Sequence, residues 1–492
     1  MSKIAQQRLQ RISQHLQGES SFESLRIHGR PNQPPNFTSL NPVRFLLRSA
    51  LVYAHKTAVI HHERSYTYQE LAERCRRLAN VLLQDYDVNK GDRVAILCQN
   101  IPHVVEAHYA IPAAGAIMVP LNTRLAAAEI EYIITHSGAS VLLVQDELLH
   151  LVTPTAKASL KMIHISDTDK NDPYDVLLEK CKGTIPWTDL ALDMEENSII
   201  SINYTSGSTG RPKGVMASYR GAYLTALGVG IHHGTSAQSV FLWTSPMFHC
   251  NGWTFPWAIV AVGGTQIMLN KMDYTYIWKL FKEAGVTHYC GAPTVQNEIC
   301  NHKDATRLEQ SIRVMVGGSA LSSTTMTRLR KLNIHPVHIY GLTETYGPAA
   351  MTYDPWLLSD LPEEQQVKLL ARQGFGMVAN DELRVLDRET AKDVTPDGKT
   401  IGEICFSGNQ TMVGYYRDPE ETKKAFRAGV FWSGDLAVRH PDGAIEIVDR
   451  SKDVIVSGGE NISSIEVEGV IVQLDEVSEW LVKSLETNEE LT

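Results

Sequence analysis

The sequence predicts an α/β protein whose sheets are largely parallel and covered by helices. From Thr67 onward, helical periodicity alternates with short apolar runs, which is the pattern of repeated β–α units. The chain has 492 residues, 43% of them apolar. That length is too great for one compact core and indicates about two to four domains.

Local signals predict the individual elements. Thr67 and Glu70 form a capping-box pattern, which marks the start of a helix. The apolar runs at 93–97 and 140–144 predict buried strands, and a helical pattern at 129–136 lies between them. Strand, helix and strand in this order are typical of a parallel sheet.

Charge and cysteine content exclude several classes of protein. Lys and Arg total 46 against 56 for Asp and Glu, so the net charge of −10 excludes a generally basic nucleic-acid-binding surface. The sequence contains no uninterrupted apolar run of about 18 residues, so no membrane span is predicted. The first residues also lack the apolar centre of a secretory signal. The seven cysteines are dispersed and form no CxxC pair, which favours a reducing compartment over a disulfide framework or a zinc site.

The most informative segment is YTSGSTGRPKG at 204–214, which follows an apolar strand at 199–202. Glycines let the backbone approach an anion closely, and their N–H groups can form a concave nest for phosphate. The hydroxyls add neutral donors, and Lys213 adds a positive charge. The spacing is not that of a Walker A loop. A flexible Ser/Gly linker is the alternative, and it does not account for Arg-Pro-Lys-Gly directly behind the hydroxyls.

This segment resembles the phosphate-binding signature of the adenylate-forming (AMP-binding) superfamily. Further motifs resemble those of the family in the same order: YGLTET at 340–345, SGD at 433–435, DRSKD at 449–453 and SGGENI at 457–462. One motif alone would be weak evidence, but together they span roughly residues 40–468. The residues of these motifs resemble those of the acyl-activating branch, the acyl-CoA synthetases, more than those of the luciferases.

The resemblance implies a fold of several parts. A large adenylating domain at 21–451 would hold two parallel-rich sheets packed by helices and a smaller distorted β-barrel part around 382–447. A targeting helix would occupy 1–20, and a hinge with a truncated C-terminal lid would occupy 452–492. The active site should lie where the parts of the large domain meet.

The resemblance also implies which residues bind the nucleotide. The flat ring of Tyr340 suits the adenine face, and Asp435 offers two acceptors to the ribose hydroxyls. Glu344 and Thr205 would hold Mg²⁺ between phosphate oxygens. The implied nucleotide-binding residues are Thr205, Ser206, Gly207, Ser208, Thr209, Gly210, Lys213, Gly318, Ser319, Ala320, Tyr340, Gly341, Thr343, Asp435 and Arg450.

Four residues are implied in catalysis, namely Thr343, Glu344, His249 and Lys213. Joining a carboxylate to AMP places extra charge on the α-phosphate, so donors and a cation must be aimed there. Thr343 can donate to an α-phosphate oxygen, and Glu344 can hold the metal. In the family, the histidine at the position of His249 lies near the carboxylate and gates the acyl tunnel.

The residue types alone leave other interpretations open. A single histidine such as His249 is more often a satisfied core residue than a catalytic one. Tyr340 could be a core aromatic and Asp435 a turn aspartate. Arg450 could form an ordinary surface salt bridge, and Lys452 could be a solvated lysine.

The C-terminal segment resembles the family only in part. Lys452 lies at the hinge about which the lid of relatives rotates, and Ser457, Gly458 and Gly459 lie in the segment that moves in for thioester formation with CoA. Beyond Glu468 the sequence departs from the pattern and lacks a Gly-Lys motif, whose lysine would reach the α-phosphate. Two explanations for the missing motif stay open: the chain is a truncated product of an enzyme gene, or it is a paralogue of reduced activity. Either predicts slow adenylation, which full pyrophosphate release would refute.

An N-terminal pattern predicts a peroxisomal address. Residues 3–17 have the spacing of a short amphipathic helix, in which Arg8, Leu9, His15 and Leu16 follow the order of that signal. Residues seven apart lie about 20° apart on a helix, so the four share one face that an import receptor could bind. A helix packed on the domain is the alternative, and a protein without this address would be cytoplasmic.

The leading function is an ATP-dependent acyl-CoA ligase that forms an acyl-adenylate and then a thioester. The implied ligands are ATP, Mg²⁺, CoA and a small fatty, aromatic or hydroxylated acid, with no nucleic acid and no membrane span. A mevalonyl-CoA ligase of fungal siderophore biosynthesis is one specific hypothesis. The alternatives are an enzyme that loads a carrier protein and a nucleotide-binding pseudoenzyme.

Overall fold

The computed structural model describes residues 36–450, except 168–170, 182, 206–210 and 320, together with the backbone of two strands at 455–457 and 460–462. The predicted targeting helix and the segment beyond 462 therefore lie outside the described residues. The α-helices of the described part are α1 (Val43–Val52), α2 (Tyr68–Gln84), α3 (Pro102–Ala113), α4 (Ala127–Ser137), α5 (Pro154–Ser159), α6 (Pro173–Lys180), α7 (Tyr219–His232), α8 (Phe255–Val262), α9 (Tyr274–Glu283), α10 (Pro293–Asn301), α11 (Ser323–Lys331), α12 (Glu363–Leu370) and α13 (Pro419–Ala425).

The first sheet has seven strands. In spatial order they are β18 (Gly414–Tyr415), β8 (Lys213–Ser218), β7 (Ile199–Thr205), β4 (Ile117–Pro120), β3 (Arg93–Leu97), β5 (Ala139–Gln145) and β6 (Lys161–Ile165). The strands from β7 to β6 run parallel, whereas β8 and β18 are antiparallel to their neighbours.

The second sheet has nine strands, and its centre is parallel as well. In spatial order they are β15 (Phe375–Gly376), β14 (Gly347–Met351), β13 (Ile334–Leu342), β12 (Ile312–Val316), β11 (His288–Gly291), β9 (Val240–Leu242), β10 (Thr265–Ile267), β1 (Thr57–His61) and β2 (Arg64–Thr67). The strands from β13 to β1 run parallel, and antiparallel strands close both edges.

A third, antiparallel sheet occupies the place of the predicted barrel-like part. Its five strands are β16 (Arg384–Leu386), β17 (Ile401–Phe406), β19 (Phe426–Arg427), β20 (Val430–Arg439) and β21 (Ile445–Arg450). A separate hairpin of β22 (Ile455–Ser457) and β23 (Glu460–Ile462) follows it.

The two large sheets share their main core. Every residue of α3 is buried, and α3 contacts β3 and β4 of the first sheet as well as β1 of the second. The helix is buried all round, including its His103, Glu106 and His108, because protein covers both of its sides. The core therefore lies between the two parallel sheets.

Several sequence predictions are confirmed element by element. The Thr67–Glu70 capping box opens α2, with the Glu70 N–H donating to Thr67 Oγ1 over 3.2 Å. The strand predicted at 93–97 has those bounds, and the run at 140–144 is the interior of β5. The helical pattern at 129–136 lies within α4, which ends at Gly138 with a left-handed φ of 66°.

Two further observations bear on compartment and membrane. All seven cysteines lie among the described residues, and each has a free thiol. Within the part of the chain that the structure describes, no helix combines the length and apolar character needed to cross a bilayer.

Candidate active site

The signature segment is a hairpin between the last two antiparallel strands of the first sheet. Its ends are held in register, because Thr205 on β7 pairs with Lys213 on β8. This places both predicted ligands at one edge of the hairpin. Ser206, Gly207, Ser208, Thr209 and Gly210 lie between them and outside the described residues.

Lys213 is ion-paired rather than free in this structure. Its Nζ lies 2.5 Å from Glu421 Oε2 and 5.2 Å from the centre of the Tyr415 ring, and the side chain is 17% exposed. The second oxygen of Glu421 accepts from Lys424 over 2.7 Å. The hydrogen bonds from the two lysines lower the pKa of Glu421 to about 2. The cation predicted for the phosphates is thus held by a carboxylate of α13, beside a cavity of about 430 Å³.

Thr343 and Glu344 occupy a 3-10 turn, Thr343–Thr345, which directly follows β13. The Tyr415 hydroxyl donates to Glu344 Oε1 over 2.8 Å. Burial raises the pKa of Glu344, while the hydrogen bond from Tyr415 and the charge of Lys213 oppose that rise. A carboxylate in this position gains from a cation that would stabilise its ionised form.

Tyr340 and Asp435 meet although they belong to different sheets. The Tyr340 hydroxyl donates to Asp435 Oδ2 over 2.7 Å, and Asp435 is 5% exposed. Arg450 lies opposite Asp435 in the β20–β21 register, with its Nε 3.5 Å from Asp435 Oδ1. The Arg450 side chain is 54% exposed, so it lies at the open side of this group.

His249 precedes a turn of unusual backbone geometry. Part of its surface is exposed to solvent. Desolvation of the ring by neighbouring protein atoms, and next the positive charge of Arg124, lower the pKa of His249. The next five residues, 250–254, all have positive φ between 45° and 63°. Three of them, Cys250, Trp253 and Thr254, are residue types that rarely adopt this region, at a cost of roughly 1–2 kcal/mol each. The surrounding packing must therefore hold this left-handed turn in place.

The left-handed turn touches the nucleotide side of the site. Cys250 Sγ lies 3.8 Å from Thr343 Oγ1 and 4.0 Å from the carbonyl oxygen of Leu342. Burial raises the pKa of the Cys250 thiol to about 12, so the thiol is protonated at neutral pH. The segment that carries His249 and the turn that carries Thr343 are thereby direct neighbours.

The glycine positions of the site have different surroundings. Gly318, which has φ +96°, and Ser319 follow β12 and are both exposed, while Ala320 is outside the described residues. A methyl group on Gly341 would overlap the carbonyl oxygen of Gly347 on the neighbouring strand. Gly341 is therefore required by a close backbone approach beside Tyr340.

The structure brings together eight of the predicted site residues that it describes: Thr205, Lys213, Tyr340, Gly341, Thr343, Glu344, Asp435 and Arg450. Asp435 is hydrogen-bonded to Tyr340, which lies on β13, and β13 leads directly into the turn of Glu344. Glu344 is hydrogen-bonded to Tyr415, whose ring faces Lys213. The described part of the chain leaves out the hinge and CoA positions Lys452, Gly458 and Gly459 and the side chain of Ser457.

Tyr415 and Glu421 are site residues that the sequence reasoning missed. They lie on β18 and on α13, whose N-cap Asp418 accepts from the Glu421 N–H over 3.0 Å. The sequence Asp-Pro-Glu-Glu at 418–421 is a helix-start signal that could have located α13. Nothing local indicates that this helix reaches the signature hairpin.

Comparison with known proteins identifies the family of the chain. Residues 46–416 match the family of AMP-binding enzymes. The peroxisomal acetate/butyrate–CoA ligase of Arabidopsis thaliana is 41% identical over 468 residues, which cover 90% of this chain and 82% of the relative. An acetate–CoA ligase of Humulus lupulus is 38% identical over 470 residues, with coverage of 90% and 82%. The peroxisomal benzoate–CoA ligase of Arabidopsis thaliana is 38% identical over 472 residues, with coverage of 92% and 80%.

Solved structures give the same result. The ATP-bound MatB protein of Rhodopseudomonas palustris superposes with a TM-score of 0.79 at 25% identity, covering 90% of this chain and 84% of that protein. The fold is thus that of the adenylate-forming enzymes. The chain belongs to the AMP-binding enzyme family, as an AMP-forming acyl-CoA synthetase that joins a carboxylic acid to CoA at the expense of ATP.

Proposed function

We propose that this protein activates a small monocarboxylic acid as its acyl-adenylate and then transfers the acyl group to CoA. One observation carries the proposal: the predicted adenine, ribose, metal and phosphate residues form one contiguous group. Tyr340 donates to Asp435, and Glu344, two residues past β13, accepts from Tyr415, whose ring faces Lys213. The predicted residues come from three separate sequence motifs, at 204–214, 340–345 and 433–435.

The nucleotide would lie along this group. Tyr340 offers a ring face for adenine, and the Tyr340 hydroxyl orients Asp435 toward an incoming ribose. Arg450, which is largely exposed, would contact the ribose or a phosphate. Thr205 and Lys213 flank the glycine-rich loop and would donate to the phosphates together with its backbone.

The residues present fit a magnesium ion. Glu344 combines a partly exposed side chain with a pKa raised by burial, and its Oε1 accepts a hydrogen bond from the hydroxyl of Tyr415. A hard divalent cation prefers such carboxylate oxygens, and the Thr205 hydroxyl is a second candidate ligand. The ion would supply charge compensation to the phosphates, while Thr343 donates to the α-phosphate.

The acid would approach from the side of His249. His249 is exposed, and the adjoining Cys250 contacts the turn that carries Thr343. A neutral imidazole, which the lowered pKa ensures, can donate one hydrogen bond to a carboxylate without adding a competing full charge. We therefore assign His249 to orientation of the acid.

The names of the relatives support a small acid. Proteins with about 40% identity are named as ligases of acetate, butyrate and benzoate. Short aliphatic, aromatic and hydroxylated acids are accordingly the substrate classes that we propose. Mevalonate, a branched hydroxy acid, is the most specific candidate, and it is suggested by the resemblance to the family.

Pyrophosphate release tests the proposal directly. The protein is incubated with ATP and Mg²⁺ and with acetate, butyrate, benzoate or mevalonate, and the rate is compared with that without acid. Acid-dependent release supports adenylation. Nucleotide binding without release for any acid would favour a pseudoenzyme instead. Thioester formation with CoA, set beside that with a phosphopantetheine carrier protein, distinguishes a ligase from a loading enzyme.

The second half-reaction would involve the C-terminal segment. We assign 21–451 to adenylation and Lys452 to a hinge, with Ser457, Gly458 and Gly459 near the pantetheine chain of CoA, on sequence grounds. Lys452→Pro should then impair thioester formation more than pyrophosphate release, because a proline restricts rotation at that position. Equal loss of both steps would contradict the hinge assignment.

We also propose a peroxisomal location. The pattern of Arg8, Leu9, His15 and Leu16 supports it, as do relatives whose names include that compartment. A fluorescent fusion that keeps the N-terminus free should colocalise with a peroxisomal marker. Arg8→Ala combined with His15→Ala should release it into the cytoplasm, whereas unchanged colocalisation would exclude this import signal.

A further inference from the structure

The two halves of the proposed active site are joined by a buried hydrogen bond. Tyr346 follows the turn that carries Thr343 and Glu344, and its hydroxyl donates to Asn251 Oδ1 over 3.1 Å. Asn251 lies in the left-handed turn directly after His249 and Cys250. Asn251 is fully buried and Tyr346 is 2% exposed, so this bond has no competition from water.

Both partners lie in the left-handed backbone region, which is unfavourable for Tyr346. Tyr346 has φ 56° and Asn251 has φ 50°, both in the left-handed region. Asparagine tolerates that region, whereas tyrosine rarely adopts it. Strained residues persist where the surrounding structure over-determines them, and the hydrogen bond between these two is one such constraint.

The bond belongs to a longer chain of buried polar groups. On the acid side, the Asn251 amide donates to His108 Nε2 over 3.1 Å, and His108 Nδ1 lies 2.6 Å from the carbonyl oxygen of Val104. That carbonyl can only accept, which assigns the proton to Nδ1 and leaves Nε2 as the acceptor. Burial lowers the pKa of His108 to about 4, so the neutral tautomer is kept at physiological pH.

The chain continues on the other side into the strand that leads to the signature loop. Ser201 Oγ lies 2.9 Å from the Tyr346 hydroxyl, and the Asn203 amide donates to Ser201 Oγ over 3.0 Å. Both residues are on β7, which ends at Thr205. Because Ser201 accepts from Asn203 and Tyr346 donates to Asn251, Ser201 donates to Tyr346, and the bonds run in one direction from β7 to α3.

We propose that the Tyr346–Asn251 hydrogen bond is a positioning bridge, which fixes the acid-binding turn after His249 against the nucleotide-binding turn of Thr343 and Glu344. The inference rests on the proposed ligase function. Both residues are buried, and we assign them to positioning rather than to substrate contact. The bridge sets the distance between the carboxylate and the α-phosphate, because each would be bound by one of the two turns that it joins.

The test compares variants that remove the bond but respect the backbone. Tyr346→Phe keeps the ring and removes the hydroxyl, and Asn251→Gly removes the side chain while suiting a positive φ. Tyr289→Phe is the matched control, because Tyr289 is also fully buried and its hydroxyl donates to an amide oxygen, that of Gln296, over 2.7 Å. The readouts are kcat and KM for acid-dependent pyrophosphate release, with thermal unfolding measured in parallel.

We expect Tyr346→Phe and Asn251→Gly each to lower kcat at least about 10-fold, since small misplacements of reacting groups are costly, with KM for ATP and acid changed less than about 3-fold. The double variant should be no slower than the slower single variant, because both remove the same bond. Tyr289→Phe should unfold at a temperature similar to that of Tyr346→Phe and retain its kcat.

Two outcomes would overturn the bridge while leaving the ligase function intact. One is a Tyr346→Phe enzyme with kcat within twofold of the parent. The other is a multiplicative loss in the double variant, which would mean that the two residues act independently. A parent protein that releases no pyrophosphate with any acid would instead refute the proposed function, and the catalytic role of the bridge with it.

Discussion

Replacing Glu421 should strengthen ATP binding, because Glu421 competes with the phosphates for Lys213. In the structure, Lys213 Nζ is 2.5 Å from Glu421, and the two side chains are 17% and 28% exposed. A partly exposed ion pair of this kind contributes about 0.2–1 kcal/mol. Glu421→Gln should therefore lower the KM for ATP up to about 5-fold.

Removing the lysine should have the opposite and larger effect. A hydrogen bond to a charged group contributes about 1.5–3 kcal/mol, so Lys213→Met should raise the KM for ATP about 10- to 150-fold. Pyrophosphate release over a range of ATP concentrations measures both variants, and calorimetric titration with ATP measures binding alone. Lys424→Met serves as control, since Lys424 pairs with the same carboxylate but is 72% exposed.

The two variants separate two roles for Lys213. If Lys213 contacts phosphate, Glu421→Gln and Lys213→Met shift the KM for ATP in opposite directions. A KM for ATP that rises as much in Glu421→Gln as in Lys213→Met would refute this reasoning. It would show that Lys213 supports ATP binding by holding α13 against the hairpin through its ion pair with Glu421, and not by contacting phosphate.

Three further predictions concern the nucleotide side. Asp435→Asn should raise the KM for ATP about 10-fold, because a charged acceptor is replaced by a neutral amide, and an unchanged ATP titration would contradict the ribose role. Tyr415→Phe removes a hydrogen-bond donor that lowers the pKa of Glu344, so that pKa should rise further. In a pH–rate profile, the acidic limb, where activity declines, should therefore shift to higher pH. Gly341→Ala should lower the free energy of unfolding by about 2 kcal/mol or more in denaturant titrations, because the new methyl group overlaps Gly347.

Local signals account for much of the fold. The strand at 93–97, the strand at 312–316 and the capping box at Thr67 are each encoded within a few residues. Apolar runs of this length and reciprocal caps have few alternative structures. The parallel character of both large sheets also follows, since strands that alternate with helices require crossover connections.

Long-range pairs could not be predicted in the same way. Tyr340 and Asp435 are 95 residues apart, and Lys213 and Glu421 are 208 apart, so their contacts depend on how the sheets pack. The resemblance to the family named three of these residues but gave no partner for Lys213.

The left-handed turn shows a different limit of sequence reasoning. Among residues 250–254 only Asn251 and Gly252 are types that favour positive φ, whereas Cys250, Trp253 and Thr254 disfavour it. Tertiary contacts override the local preference here. Functional sites are where such conflicts between local preference and global structure are expected.

One short strand has a consequence for how the molecule can be divided. β18, only Gly414–Tyr415, pairs with β8 at the margin of the first sheet, although its neighbours in sequence build the antiparallel sheet. A fragment that stopped before 414 would leave β8 uncovered, and an uncovered strand invites pairing with other chains. The same cut would remove Tyr415 and Glu421. A cut at 416, where the family match ends, would keep β18 but remove Glu421 on α13 and Asp435 on β20, so that position is not a safe boundary for dissecting this enzyme into autonomous modules.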